Sequence, residues 1–247
     1  MRAHARHTCS VDIRGIAPAS EAIAQVTSDI AGAVRAAWTA GRAAHVVLSG
    51  GRSGAALGAG IRQEFSGGLS GTLHIWIADE RFVEYADADR NDTAIVEALD
   101  SHTASLLVHR HLPPSRATLG EIVIDYTDQL VATLGDAPFD AVVLSVGEDG
   151  HVASVFPGHP QFEAPAYAES ASPKPPSHRT TISLRRLANT RQCTLLVLGE
   201  SKRDALTRIA AADQTLPAVQ LTAMTGAIVI TDVTLGMPTN DTDVVPS

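Results

Sequence analysis

Short, uninterrupted apolar runs recur at residues 45–48, 73–78, 139–146, 193–198 and 227–231, and the longer stretches between them return apolar residues every three or four positions. Runs without alternation read as strands buried on both faces, and the 3.6-residue period reads as helix. Their alternation predicts an α/β fold, a mostly parallel sheet flanked by helices on both faces. The expected helices are 19–40 with Ser20 as N-cap, a segment opening near Ala55, 91–99, 121–134, and 201–212 capped by Ser201. Residues 156–179 contain Pro157, Pro160, Pro165, Pro173, Pro175 and Pro176. Such a stretch can be neither a regular helix nor a central strand. It predicts a long surface excursion, with Lys174 and Arg179 near its end favouring a functional loop. Residues 1–10 and 237–247 are expected to be loosely held.

Composition narrows the picture. A chain of 247 residues, 45% of them hydrophobic, can bury one large core, so a single domain over 1–247 is the simplest organisation. The net charge of -8 and pI of 5.6 argue against a nucleic-acid partner, which needs a basic footprint. A small anion stays compatible if a few cations converge locally. No run approaches the roughly 20 apolar residues of a membrane span, and no signal-peptide core follows the first residues. Cys9 and Cys193 lie far apart without paired spacing, which suggests neither a disulfide framework nor a cysteine-based zinc site. A cytoplasmic protein is expected. The pair His109 and His111 sits in a proline-flanked connection with no third ligand nearby, so both read as solvent-exposed and no metal is expected.

Four polar clusters fall at the ends of predicted strands. Leu48-Ser49-Gly50-Gly51-Arg52-Ser53-Gly54 joins a strand to a helix. Its glycines allow close backbone approach, and the helix start favours an anion, although packing a tight turn asks for the same residues. It matches neither the Walker nor the dinucleotide fingerprint. Trp76-Ile77-Ala78-Asp79-Glu80-Arg81 ends an apolar strand in two acids and a base, where ligands of open α/β sheets bind; a surface salt-bridge cluster is the plainer alternative. Asn91 or Asp92, shortly after, would serve as a helix cap. Gly147-Glu148-Asp149-Gly150-His151 follows the strand 139–146 and brings an imidazole that titrates near neutrality, with a carboxylate two residues earlier to fix its tautomer. Lys202 opens a helix against the dipole, which a bound anion would compensate and a solvated surface lysine would also explain.

The order and company of these clusters resemble the 6-phosphogluconolactonase family, within the wider group that includes glucosamine-6-phosphate deaminase. The likeness runs over residues 19–232 and is most specific in Ala78-Asp79-Glu80-Arg81, in the run from Gly147 to Pro160, and in Ser172-Pro173-Lys174-Pro175-Pro176. It implies a Rossmann-like fold of the sugar-phosphate isomerase/lactonase type, no cofactor, and hydrolysis of 6-phospho-D-glucono-1,5-lactone, a step of the oxidative pentose phosphate pathway. By that resemblance His151 is the general base and Asp149 holds it. Ser49, Gly50 and Gly51 grip the 6-phosphate with Arg179 and Lys202, and Asp79 and Arg81 lie near the ring. Arg81 is assigned to the oxyanion, a role typically worth about 2.7 to 4 kcal/mol. Asn91 and Gly147 complete the expected substrate-binding set. Arg52 stands where the family often has a small residue, and either adds phosphate charge or faces solvent. Ser145 replaces a common glycine, and Arg90 a usual serine.

Three rival readings exist. A deaminase of glucosamine 6-phosphate typically carries a Phe-Asn-Glu-Pro ending after the shared histidine, where this chain has Ala153-Ser154-Val155-Phe156-Pro157. A non-catalytic sugar-phosphate sensor would bring a basic helix-turn-helix segment, and none is visible. A plain scaffold leaves the placement of four polar clusters unexplained. The expected partner is a phosphorylated sugar lactone, with no nucleic acid or membrane, and the assembly a monomer or small homo-oligomer.

Overall fold

The computed structural model describes residues 11–99 and 105–235. The segments expected to be loosely held, 1–10 and 237–247, and Cys9 lie outside these residues. Strands β1 (Asp12–Gly15), β2 (Ala44–Leu48), β3 (Leu73–Ile77), β5 (Leu106–His109), β6 (Ala141–Ser145), β9 (Cys193–Val197) and β10 (Ile228–Thr231) form a sheet ordered β1-β10-β9-β6-β2-β3-β5. Every pairing in it is parallel. The α/β expectation and the five central strands therefore hold. The two strands not foreseen, β1 and β5, lie at the edges and are partly exposed, so they lack a continuous buried run.

Helices cover both faces because successive strand residues point opposite ways. Val46, Leu48, Ile75 and Ile77 pack with α1 (Ala19–Thr39), α2 (Gly51–Glu64) and α3 (Asn91–Leu99). Val47, Trp76, Val142 and Leu144 turn the other way and meet α4 (Leu119–Thr133), α6 (Arg203–Ala210) and α7 (Pro217–Thr225). A short α5 spans Leu184–Ala188. Helix α7 was missed although it carries Pro217 in its first turn and Gly226 in a left-handed C-cap, the usual asymmetry of helix ends.

Several local expectations are corrected. Helix α1 starts behind Pro18 with no side-chain cap, so Ser20 does not serve as one. A 3-10 turn, Glu200–Lys202, precedes α6, which places Ser201 before the helix and makes Lys202 its N-cap residue. The N-terminus of α4 lies two residues earlier than expected, behind a Thr118–Glu121 capping box. The proline-rich stretch is more than an excursion. It supplies β7 (Ala166–Glu169), which joins β8 (Arg179–Ile182) and β4 (Asp79–Arg81) in a separate antiparallel sheet ordered β4-β8-β7.

His109 and His111 are not solvent-exposed either. His111 is fully buried, stacked on Tyr126, with one ring nitrogen 2.6 Å from the Thr180 hydroxyl and the other 3.1 Å from the Ile77 carbonyl. His109 stacks on Trp76 and hydrogen-bonds His74 and Gln129. Among the described residues no group of three or more His, Cys, Asp or Glu side chains is placed to hold a metal ion, and no helix is long and apolar enough to cross a membrane.

Candidate active site

The carboxyl ends of four neighbouring strands, β9, β6, β2 and β3, deliver the four polar clusters to one edge of the large sheet, the usual ligand position in open α/β sheets. A pocket of about 140 Å³ opens there. Of the sequence-predicted set it is lined by Ser49, Gly50, Gly51, Asp79, Arg81, Asn91, His151 and Arg179, joined by Ser145 and Ala153.

Helix α2 begins at Gly51, four residues before the expected start, so the glycine-rich run is itself the first turn and its unpaired N–H groups belong to the pocket wall. Gly50 is required by close approach: a Cβ there would fall 2.4 Å from the Asn91 side chain. The buried Ser49 hydroxyl accepts the Ser145 N–H at 3.1 Å and ties the β2 and β6 ends together.

After β6 the chain turns through Gly147 to His151. The His151 Nδ1 lies 2.5 Å from Asp149 Oδ1, an acceptor-only carboxylate, so Nδ1 is the donor and in the neutral ring Nε2 is the acceptor. Burial alone would raise the Asp149 carboxyl, but the hydrogen bond, charge and backbone N–H of His151 outweigh it and hold that group well below the usual carboxylate range. Gly147 is the second glycine that the geometry demands, since a Cβ would lie 2.0 Å from His151 Nδ1. Ala153 adopts φ +50, a conformation uncommon for a non-glycine residue and of the kind that concentrates at functional sites. The bridges Val146–Val152 and Val152–Val155 hold it there, and the next residue, Ser154, donates its hydroxyl to Asp79 at 2.5 Å.

The small antiparallel sheet supplies the cations. Arg81 and Arg179 are register partners across β4 and β8, as are Asp79 and Thr181, so these four side chains share one face. Like charges directly opposite one another are destabilising unless something answers them. Asp79 answers in part. Arg179 is buried, donates to the Pro176 and Lys174 carbonyls, and lies 5.8 Å over the Phe156 ring, which itself contacts His151. Burial pulls its guanidinium down, Asp79 raises it and Arg81 lowers it again. Arg81 donates Nη1 to the Asp89 carbonyl, while its buried Nε has no hydrogen-bond partner among the described residues.

The surface salt-bridge alternative does not hold for Asp79 and Glu80, because both are buried, Glu80 against the equally buried Arg90. Neither Asn91 nor Asp92 caps α3 with its own side chain. Glu80 does so from β4, accepting the N–H groups of Asn91 and Asp92 at 2.7 and 2.9 Å. Asp92 instead pairs with Arg90 and Arg110, which gives Arg90 a buried structural partner. Burial, then Asp92, push the Glu80 carboxyl up to about 7 against the opposing Arg90 and backbone donors.

Arg52 and Lys202 do not line the pocket. Arg52 is exposed, and the Lys202 ammonium is pulled down by burial, with Lys174 and Arg52 adding to the effect and Glu148 and Asp149 opposing it. Sequence reasoning assigned no role in the site to Ser145, Ala153, Ser154 or Glu80, each inside or next to a quoted motif. Small uncharged side chains carry no chemical flag, and the membership of Glu80 in one of the three most specific stretches was the signal that would have found it.

Residues 17–230 match the family described as glucosamine-6-phosphate isomerases/6-phosphogluconolactonase. The chain is 30% identical over 198 residues to the GDH/6PGL endoplasmic bifunctional protein of Homo sapiens, covering 76% of this chain and 25% of that protein, so it spans about a quarter of that relative's length. It is 31% identical over 198 residues to the 6-phosphogluconolactonase of Mycobacterium tuberculosis, covering 74% of this chain and 79% of the relative. Its fold is that of a solved 6-phosphogluconolactonase from Shewanella baltica, with a TM-score of 0.75 at 23% identity over 90% of this chain and 97% of the other.

Proposed function

The chain belongs to the glucosamine-6-phosphate isomerase/6-phosphogluconolactonase family, and from that premise we propose that it hydrolyses 6-phospho-D-glucono-1,5-lactone to 6-phospho-D-gluconate with His151 as general base. The observation that carries the reading is the convergence, in one pocket, of an imidazole oriented by Asp149 with two guanidiniums placed side by side. An acceptor nitrogen suits water activation, and paired guanidiniums suit an anionic substrate and the oxyanion formed from it.

In the proposed sequence, water attacks the lactone carbonyl carbon as His151 Nε2 takes its proton. The carbonyl electron pair moves onto oxygen, where the unsatisfied Arg81 Nε–H supplies a donor. Collapse of the tetrahedral intermediate expels the ring oxygen, which takes the proton back from the imidazolium. The products are a free hydroxyl and a carboxylic acid, which ionises. Ser49, Gly50, Gly51 and Arg179 hold the phosphate at the α2 N-terminus, Lys202 adds charge from outside the pocket lining, and Asp79 and Asn91 contact the sugar hydroxyls. Gly147 keeps room for the imidazole ring. Phosphate binding, remote from the ester, positions the ring for attack.

The deaminase alternative lacks an acid after His151, since Ala153-Ser154-Val155-Phe156-Pro157 stands there. The reading includes a single functional domain in a cytoplasmic setting. Its test is His151→Ala assayed with the phospholactone, expected to lower kcat about 10²- to 10⁴-fold with little change in KM. Wild-type turnover after subtraction of spontaneous hydrolysis would remove His151 from the mechanism. Ammonia release from glucosamine 6-phosphate would replace the activity itself.

A further inference from the structure

Glu80 is buried to 1% exposure, yet its side chain stands on the opposite face of β4 from Asp79 and Arg81. It therefore does not meet the substrate. Its carboxylate instead takes three backbone donors from two separate segments: Arg81 N–H at 2.8 Å and Asn91 N–H at 2.7 Å on Oε1, and Asp92 N–H at 2.9 Å on Oε2. Arg90 Nε stands 3.5 Å away. A helix start is ordinarily satisfied by a local Ser, Thr, Asp or Asn, at no cost of burying a charge. Here the residue before α3 is Arg90, and a carboxylate is carried in from a strand eleven residues earlier in the chain. Removing an ion from water costs several kcal/mol unless geometry repays it, so a local cap would be the cheaper route if capping were the whole purpose.

The buried anion does something that a local cap does not, because it joins β4 to α3. On one side of the join is Arg81, whose Nε is the unpartnered donor at the pocket. On the other is Asn91, which packs against Gly50 of the glycine-rich turn and donates Nδ2 to the Asp79 carbonyl at 3.0 Å. We propose that Glu80 is a positioning residue for the proposed reaction, its carboxylate setting the distance between the Arg81 guanidinium and the Asn91–Gly50 wall of the pocket. The idea rests on the lactonase reading and deepens it.

Glu80→Gln tests it, because an amide keeps one acceptor oxygen and turns an N–H₂ toward a backbone N–H. The substitution is made in the intact chain and in an Arg81→Ala/Asn91→Ala background, with kcat and KM measured for phospholactone hydrolysis. A residue acting only through its two neighbours gives a non-additive cycle. The expected result is a fall in kcat of about tenfold or more in the intact chain, KM changing less than threefold, and less than a twofold effect in the doubly substituted background. An equal loss in both backgrounds, or no loss in either, overturns the proposal. If the glutamine variant does not fold, Glu80→Asp carries the same cycle, since it keeps the charge and shortens the reach by one methylene. If the unaltered chain hydrolyses no phospholactone, the functional reading fails separately. The proposal, which rests on that reading, then falls with it.

Discussion

Gly147→Ala isolates the placement of the imidazole from its chemistry. The added methyl would lie 2.0 Å from His151 Nδ1, 2.1 Å from Cε1 and 2.7 Å from Asp149 Oδ1. Ordinary contact begins near 3.4 Å, so the ring must retreat by more than an ångström and the carboxylate by a smaller step, or the 147–151 turn must open. The imidazole itself survives, as do Arg81 and Arg179. Misplacing a catalytic group by about 1 Å can cost about 10²-fold in rate, and overpacking typically costs about 1 to 3 kcal/mol of stability. The variant is therefore expected to fold, to bind with KM within about threefold of wild type, and to lose kcat about 10²-fold. Continuous oxidation of the 6-phosphogluconate product by its dehydrogenase, with the uncatalysed rate subtracted, reads both constants, and thermal unfolding checks the fold. A Gly147→Ala protein with wild-type kcat would show that ring opening does not depend on where the His151–Asp149 pair stands. A large KM increase with kcat intact would move the pair from catalysis to substrate holding.

Arg179→Ala is expected to act the other way, raising KM for the phospholactone about tenfold or more with kcat within threefold, since charged hydrogen bonds are worth about 1.5 to 3 kcal/mol, and Lys202→Ala, outside the pocket lining, to raise KM by less. An equal loss of kcat and kcat/KM in either variant would contradict a role in holding the phosphate. Acid stability gives a separate test. Burial pushes the His111 ring from its ordinary 6.5 down to about 4, with Arg90 contributing, so the folded chain takes up that proton less readily than the unfolded one. Stability from this ring is complete above pH 6.5 and is lost as pH falls toward 4, by about 2 kcal/mol at pH 5. His45 and His109, also pushed to about 4 chiefly by burial, act in the same direction, whereas Glu80 at about 7 acts oppositely. The comparison is therefore between wild type and His111→Asn in urea at pH 7.5 and 5, where the variant should show the smaller acid loss. Identical losses would mean that this ring is not held neutral.

The parallel sheet and its strand-end clusters were legible in the chain because they follow from short-range regularity. A buried strand such as 139–146 needs an unbroken apolar run, and the residue after its last buried position emerges at the ligand-binding edge wherever the fold is doubly covered. His151 and Asp149 are two residues apart, so their hydrogen bond was foreseeable from local geometry. Other features depend on residues whose separation no periodicity encodes. Arg81 and Arg179 face each other only because β4 and β8 pair in a second sheet, which the proline-rich stretch concealed. His111 reads as exposed from its proline-flanked connection, while its actual partners are Ile77, Tyr126 and Thr180 from three other elements. Glu80 looked like surface charge and proved to be the anchor of α3. Local pattern determined which elements form and which ends of them carry chemistry. Only tertiary pairing decided which charges became neighbours and which were cut off from water, because both are properties of contacts between segments and neither is written in any one of them.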